Sequence, residues 1–193
     1  MAERTEFTNE LERPMRMNPK KFALWLFMVS IVMLFAALTS AYIVRQAEGN
    51  WDVFEMPSIF YASTVIIFIS SATMHWAVLS ARRNDLSKLK LGISITAVLG
   101  MVFLVMQVLG WGDLVDISVY FVGNPSGSFL YVLTGLHGLH LVSGVIFLAI
   151  MLVAAFQYKV HSKQMVKIEM CATYWHFLDG LWLYLFFFLL FNM

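Results

Sequence analysis

Five long apolar segments divide the chain, and polar or charged stretches separate them. The segments run over residues 22–44, 58–79, 91–109, 127–156 and 169–191. A helix needs roughly 20 apolar residues to cross the hydrocarbon core of a bilayer, and these segments have about that length or more. The pattern predicts an all-α, integral membrane five-helix bundle, with a single membrane domain over residues 22–193. Residues 1–21 are polar and carry charges of both signs, which predicts an N-terminal arm outside the membrane.

The composition is typical of a membrane protein and argues against nucleic-acid binding and cysteine-rich metal sites. The chain is 60% hydrophobic and 13% charged, with a mean hydropathy of +0.75, outside the range of soluble domains. The net charge of +1 offers no basic excess for nucleic acid, so no such partner is expected. The single cysteine, Cys171, has no second thiol for a disulfide or a cysteine-rich metal site. The first apolar segment is too long for a signal peptide and is expected to stay uncleaved.

Basic residues are concentrated in alternate loops. All but one of the 13 lysines and arginines lie in the N-terminal arm, after the second segment or after the fourth, and Arg45 is the exception. Because cytoplasmic loops are enriched in lysine and arginine, this places the N-terminus in the cytoplasm and the C-terminus outside. In a bacterium the chain would lie in the inner membrane, with its C-terminus in the periplasm. The loop over residues 111–126 is expected to lie on the membrane surface.

Polar side chains inside the predicted helices are the candidate functional residues. They are His75, Gln107, His137, His140, Glu169, Trp175, His176 and Asp179. His176 and Asp179 are three residues apart, so they share one helix face. Ionisable groups at that depth are costly in lipid and are expected to face protein. Arg82 and Arg83 mark the end of the second helix and are expected, secondarily, to contact anionic lipid headgroups.

These polar residues admit more than one interpretation. In the first, the histidines make hydrogen bonds between helices, and Asp179 is a partner for a histidine or tyrosine of a neighbouring helix. In the second, His137 and His140 bind a metal or haem with His75 or His176, and Asp179 is a proton-relay carboxylate. A His-x-x-His pair without a nearby cysteine or glutamate is a weak metal signal. The contact interpretation is therefore favoured, with no catalytic, metal or cofactor-binding residue on this chain.

Two sequence motifs, one in the fifth apolar segment and one in the fourth, have a specific order of residues. The first is Tyr-Trp-His-Phe-Leu-Asp at residues 174–179, followed by Trp182 and preceded by Glu169. The second is Thr-Gly-Leu-His-Gly-Leu-His at residues 134–140, followed by Gly144. Together these motifs resemble the signature of subunit III of the haem–copper oxidases, and His75 and Gln107 also stand where that family's pattern places such residues. The resemblance extends over nearly all of the chain from the first helix onward and is closest to the short five-helix bacterial form.

The chain departs from that family pattern at two positions. The first helix of the family usually contains Phe-x-x-Ser-Glu, and residues 27–31 here read Phe-Met-Val-Ser-Ile. Ile31 therefore replaces the intramembrane glutamate that reacts with carbodiimides in many members, and any role of that carboxylate in proton handling is absent. Gly110 stands where the family often has a second glutamate.

The resemblance implies an accessory subunit that carries no haem or copper. It implies membership of a respiratory terminal oxidase that reduces oxygen and pumps protons, with haem and copper in the partner subunits. Subunit I would be the main contact, with subunit II, small subunits and a larger supercomplex as further partners. The resemblance also implies phospholipids in a cleft between helices, stabilisation of subunit I, and support for proton uptake and oxygen access. This chain would not itself be catalytic.

Several alternatives remain open from the sequence. The complex could be a cytochrome c oxidase, which we favour, a quinol oxidase, or a nitric oxide reductase with a related accessory protein. Subunit II selects the electron donor, so this chain carries little information on it. A haem-binding membrane cytochrome and a small transporter with His176 and Asp179 in a proton path are alternatives of other classes. Transporters of that kind usually show internal repeats and broken helices, and the sequence shows neither.

Overall fold

The computed structural model describes residues 18–156 and 165–192, and these residues form five long helices. They are α1 (Pro19–Ala47), α2 (Ser58–Arg82), α3 (Leu86–Asp116), α4 (Pro125–Phe156) and α5 (Met165–Asn192). Each helix is long and apolar enough to cross a membrane. The predicted all-α, five-helix membrane architecture is confirmed. Residues 1–17 of the predicted arm lie outside the described residues.

The helices are longer than the apolar segments that predicted them. The side chain of Asn18 accepts a hydrogen bond from the Lys20 amide, so α1 begins at Pro19, inside the predicted arm. The side chain of Asp85 caps α3 in the same way by accepting from the Lys88 amide. Hydropathy marks the part of a helix that lies in hydrocarbon, whereas capping residues mark where the helix begins. The predicted surface loop 111–126 shortens accordingly, because residues 111–116 belong to α3 and α4 begins at Pro125.

Helices α2 to α5 form a bundle in which each helix packs against two others: α3 contacts α2 and α4, and α5 contacts α4 and α2. Close approach depends on glycine at several helix contacts, of which Gly100 and Gly144 are two. A Cβ atom on Gly100 would lie 2.6 Å from the Trp175 ring, and one on Gly144 would lie 2.9 Å from Leu178. Small residues at such contacts allow helices to pack tightly in a membrane, where lipid competes equally for apolar surface.

Helix α1 lies outside this four-helix bundle and contacts only α4 and α5 among the described helices. Its buried residues recur every three or four positions and so form one narrow stripe: Met28, Ile31, Phe35, Thr39 and Tyr42. At its C-terminal end, Tyr42 Oη and Gln46 Nε2 both donate to the Asn192 carbonyl, at 3.1 and 2.8 Å. The first helix is therefore attached directly to the end of the last.

Apart from Arg45, the described basic residues gather at one end of the molecule, which we call the basic end. Here α1, α3 and α5 begin and α2 and α4 end. Lys21 pairs with Glu169 across α1 and α5, and the Lys90 Nζ atom lies 5.0 Å from the Phe156 ring centroid, joining α3 to α4. The location of this end in the cytoplasm stays a prediction.

Candidate functional site

A cavity opens at the basic end between α1, α2 and α5. Its volume is about 420 Å³. The polar side chains and the tryptophan that line it are Lys21, Trp25, His75, Arg82, Glu169, Thr173 and His176. Four of the residues singled out from the sequence, at positions 75, 82, 169 and 176, therefore meet at one place. Arg83 is exposed and does not line this cavity.

Glu169 connects three helices at the mouth of the cavity. Its Oε2 atom lies 3.2 Å from Lys21 Nζ of α1, and its Oε1 atom lies 3.6 Å from an Arg82 nitrogen of α2. All three side chains are partly exposed, so each ion pair contributes only a modest amount to stability. Two cations around one carboxylate leave the mouth with a net positive charge, which favours an anionic ligand.

Two histidines form the inner wall of the cavity. The ring centroids of His75 and His176 are 6.4 Å apart. His176 Nδ1 lies 2.7 Å from the hydroxyl oxygen of Ser71 on α2, a hydrogen bond that joins α5 to α2. About a third of the His176 side chain is exposed, so the ring contacts both the cavity and the interior of the bundle.

Asp179 lies one helical turn further from the mouth than His176. Only 7% of its side chain is exposed. Among the described residues, neither carboxylate oxygen has a hydrogen-bond partner. The closest titratable group is its neighbour on the same helix, with His176 Nδ1 4.0 Å from Asp179 Oδ2. No histidine or tyrosine of another helix bonds Asp179 in the described part of the chain, and Ser71 of α2, which bonds His176 Nδ1, is the polar side chain from another helix that faces the carboxyl group.

The other predicted polar residues are buried elsewhere in the bundle. Trp175 Nε1 donates to Ser70 Oγ at 3.0 Å, and Gln107 Nε2 donates to Ser63 Oγ at 3.3 Å. His140 Nδ1 bonds the Leu136 carbonyl of its own helix. His137 is fully buried against Phe103 and Trp182. Its ring nitrogens have no hydrogen-bond partner within residues 18–156 and 165–192.

An apolar groove of about 450 Å³ continues along the same faces of α1 and α5. Its lining includes Val32, Phe35, Phe177, Gly180, Leu181 and Tyr184. On α5, His176, Gly180 and Tyr184 follow at intervals of four, so the cavity and the groove lie on one face of that helix. Ile31 is buried in the α1 stripe with 2% exposure. It packs as an apolar residue where a glutamate would need a buried partner.

The family of proteins called cytochrome c oxidase subunit III matches residues 14–192, almost the whole chain. The chain belongs to this family. Subunit 3 of the cytochrome c oxidase of Bacillus sp. strain PS3 is 27% identical over 172 residues, which cover 86% of this chain and 83% of that protein. The probable cytochrome c oxidase subunit 3 of Mycobacterium bovis is 28% identical over 187 residues, covering 94% and 92%.

A quinol oxidase subunit is similar to the chain to the same degree. Subunit 3 of the cytochrome bo(3) ubiquinol oxidase of Buchnera aphidicola is 26% identical over 180 residues, covering 91% of this chain and 95% of that protein. These matches confirm the resemblance to subunit III of the haem–copper oxidases. This subunit III is a multi-pass protein of the bacterial inner membrane, and its family forms part of multi-subunit oxidase complexes.

The described residues of this subunit III bring no metal-ligand set together. Within residues 18–156 and 165–192, no three histidine, cysteine, aspartate or glutamate side chains lie close enough to hold a metal ion. His137 lies in the bundle beside Trp182, whereas His75 and His176 line the cavity. The described geometry therefore supplies polar contacts between helices and a polar cavity at the basic end.

Sequence reasoning missed several bonds that join helices. Trp182 Nε1 donates to Thr64 Oγ1 at 3.0 Å, and the hydroxyls of Ser143 and Tyr174 lie 2.7 Å apart. All four residues lie in the predicted segments, and Tyr174 and Trp182 belong to the quoted motif. The available signal was their polar chemistry at membrane depth, which indicates a need for partners without identifying them.

Proposed function

We propose that this subunit III is an accessory, non-redox component of a respiratory terminal oxidase. It packs beside catalytic subunit I and stabilises it, with subunit II, small subunits and a larger supercomplex as further partners. Haem and copper reside in the partner subunits. The observation that carries this proposal is the family match over residues 14–192. The basic end faces the cytoplasm, because basic residues concentrate on that side of a membrane.

The cavity and the groove together form a phospholipid site in this proposal. Lys21 and Arg82 hold the phosphate at the mouth, since cationic side chains at the membrane surface attract anionic headgroups. An acyl chain follows the face of α5 through the groove. The distance from Glu169 to Tyr184 is fifteen helical steps, or roughly 22 Å at 1.5 Å per residue. That length accommodates an extended acyl chain. The same cavity gives water a route from the basic end, which supports a role in proton uptake.

The lipid proposal is tested by counting the phospholipids that stay with the detergent-purified complex. Arg82→Ala removes one of the two cations at the mouth, and we expect it to lose a bound phospholipid in native mass spectrometry. Arg83→Ala is the matched control. Arg83 is next to Arg82 in the chain but lies outside the cavity, and its replacement removes the same charge. Equal lipid content in both variants would contradict the assignment of the headgroup to this cavity.

Cytochrome c is the electron donor that we propose for the complex, with a quinol as the second candidate. The basis of the second candidate is the similarity to the Buchnera ubiquinol oxidase subunit, which at 26% identity is close to the 27% found with a cytochrome c oxidase subunit. Oxygen consumption by the purified complex with reduced cytochrome c or with a quinol separates the two.

Purification in mild detergent through a tag on this chain tests the accessory role. We expect subunits I and II to copurify, the complex to show haem absorption, and the chain separated from them to be colourless. A Soret band in the isolated chain would instead favour the membrane cytochrome. A chain that purifies without any oxidase subunit would contradict the proposal and favour a protein of another class, such as a transporter.

A further inference from the structure

Asp179 differs from the other buried polar residues of α5. Trp175, Trp182 and Tyr174 each bond a side chain on a neighbouring helix. Both carboxylate oxygens of Asp179 lack a hydrogen bond in the described part of the chain. Since 7% of the side chain is exposed, almost no surface remains through which another subunit could supply a partner. A carboxyl group in such surroundings is costly as a bare anion, and a bound proton removes the charge.

His176 connects this carboxyl group to the cavity. Its ring lines the cavity wall, and its Nδ1 atom lies 4.0 Å from Asp179 Oδ2. The Ser71 hydroxyl, 2.7 Å from the same nitrogen, can donate to it or accept from it. A proton that reaches the imidazole from the cavity therefore lies one short transfer from the carboxyl group.

We propose that His176 and Asp179 form a proton-binding site that exchanges with water through the cavity at the basic end. The proton leaves a hydronium ion in the cavity, binds the imidazole, and passes to a carboxylate oxygen of Asp179. The return path restores the carboxylate and a hydronium ion. The site thus binds one proton without any redox step. It deepens the proposed function by locating a group that supports proton uptake. Only the delivery of the proton to an oxidase rests on the proposed function, and proton binding itself does not.

The charged and titratable groups facing the pair come from all three helices around the cavity. Lys21 belongs to α1, His75 and Arg82 to α2, and Glu169 to α5. The Glu169 carboxylate is already paired with Lys21 and Arg82, so it does not neutralise a cation at His176. His75 adds a second imidazole at the inner wall. Asp179 is the carboxyl group left to accept the proton among these residues.

Infrared difference spectroscopy of the purified complex tests this site directly. We expect a carbonyl stretching band of a protonated carboxyl group that shifts in D₂O and disappears as the pH is raised. Asp179→Asn, which keeps the shape of the side chain, should abolish the band. Asp116→Asn, an exposed aspartate at the opposite end of α3, should leave it intact. A band that persists in Asp179→Asn would overturn the proposal.

A histidine variant tests the link between the cavity and the carboxyl group. His176→Gln should shift the pH at which the band disappears, because the titrating neighbour is lost. His140→Gln should leave that pH unchanged, since His140 lies against Phe35 of α1 and away from the cavity. Equal effects of the two variants would overturn the role of His176.

Carbodiimide labelling of the unaltered complex supplies a measurement that does not depend on the folding of any variant. The carboxyl oxygen adds to the carbodiimide carbon and the acid proton moves to its nitrogen, so the adduct retains all atoms of both reactants. Dicyclohexylcarbodiimide should label Asp179 and not position 31, and the label should be lost at high pH. Absence of label on Asp179 at every pH would overturn the proposal. Copurification of oxidase subunits is scored separately, so failure of the proton site and failure of the accessory role are distinguishable.

Discussion

Helix α1 and the four-helix bundle formed by α2 to α5 are held together in different ways. In the bundle, the backbone at Gly100 and Gly144 packs directly against side chains of α5, and neither position has room for a Cβ atom. α1 is instead fixed near its two ends, by the Lys21–Glu169 ion pair and by the bonds from Tyr42 and Gln46 to Asn192. The cavity and the groove, of about 420 and 450 Å³, lie beside α1 between these attachments.

The difference shows how one chain combines a rigid region with an open one. Lipid solvates apolar side chains as well as protein does, so helices in a bilayer associate through close packing and hydrogen bonds. The bundle uses both along its length. α1 uses polar contacts near its ends, a hydrogen bond between Thr39 and Tyr184, and a narrow, mostly apolar stripe. It leaves volume that a lipid chain or water can occupy. Variants that disturb the packing of the bundle should therefore destabilise the protein more than variants that change the space beside α1.

Gly100→Ala is expected to have the largest effect, because it breaks the bundle itself. The added Cβ would lie 2.6 Å from the ring of Trp175, which is 1% exposed and cannot move aside freely. Overpacking of this kind costs about 1–3 kcal/mol. Thermal unfolding in detergent, followed by circular dichroism, would measure the loss. Gly112→Ala in the same helix, where nothing lies within 4 Å, controls for helix propensity. Equal unfolding temperatures for the two variants would argue against close packing at Gly100.

Asp179→Leu should leave the bundle folded and affect the complex. Replacing an unpaired buried carboxyl group with an apolar side chain removes a desolvation cost, so the isolated chain should not lose stability. The polar inner end of the cavity is lost, so we expect weaker assembly with subunit I or a shorter active lifetime of the oxidase. Copurification and the decay of oxygen consumption during turnover measure these. Asp116→Leu is the control at an exposed site, and loss of haem or copper from the Asp179→Leu complex would show a different role.

Glu169→Gln should loosen the attachment of α1 at the basic end. Both Lys21 and Arg82 lose their carboxylate partner, and each partly exposed pair is worth about 0.2–1 kcal/mol. Amide hydrogen exchange should become faster in the first turns of α1 and remain unchanged in α3. High salt should reduce the difference between variant and original chain. Glu48→Gln, which breaks a pair with Arg45 at the opposite end of α1, should not change exchange near Lys21.

The smallest effect is expected at Asp85, in the turn between α2 and α3. Hydrogen bonds from the side chain and backbone of Lys88 lower the pKa of Asp85 below its ordinary value of 3.8. A carboxyl group with a lowered pKa stabilises the fold above its unfolded-state pKa, and this contribution is lost as the pH falls through the folded-state value. Protection of the Lys88 amide, relative to its intrinsic exchange rate at each pH, should therefore be lost only in acid, as the pH falls through the lowered pKa of Asp85. In Asp85→Ala, exchange should be fast at every pH. A transition near neutral pH would contradict this origin.

Hydropathy and charge predicted the five spans, and two motifs predicted the family, because each of these signals is local in sequence. Neighbouring helices could not be predicted in this way. The contact between Gly100 and Trp175 and the ion pair between Lys21 and Glu169 join residues that are far apart in the chain. The sequence identified His75 and His176 as polar residues at membrane depth. Only the packing of α1, α2 and α5 shows that they share a cavity.

The attachment of α1 to Asn192 constrains the order in which the protein is built. α1 is synthesised before the other four helices, yet its helix contacts come from α4 and α5, which are synthesised after α2 and α3. During most of translation it is therefore surrounded by lipid or by the insertion machinery, and its docking is a closing step. The space beside it can admit lipid molecules before the bundle is complete, so the membrane in which the chain is made can determine which ones it keeps.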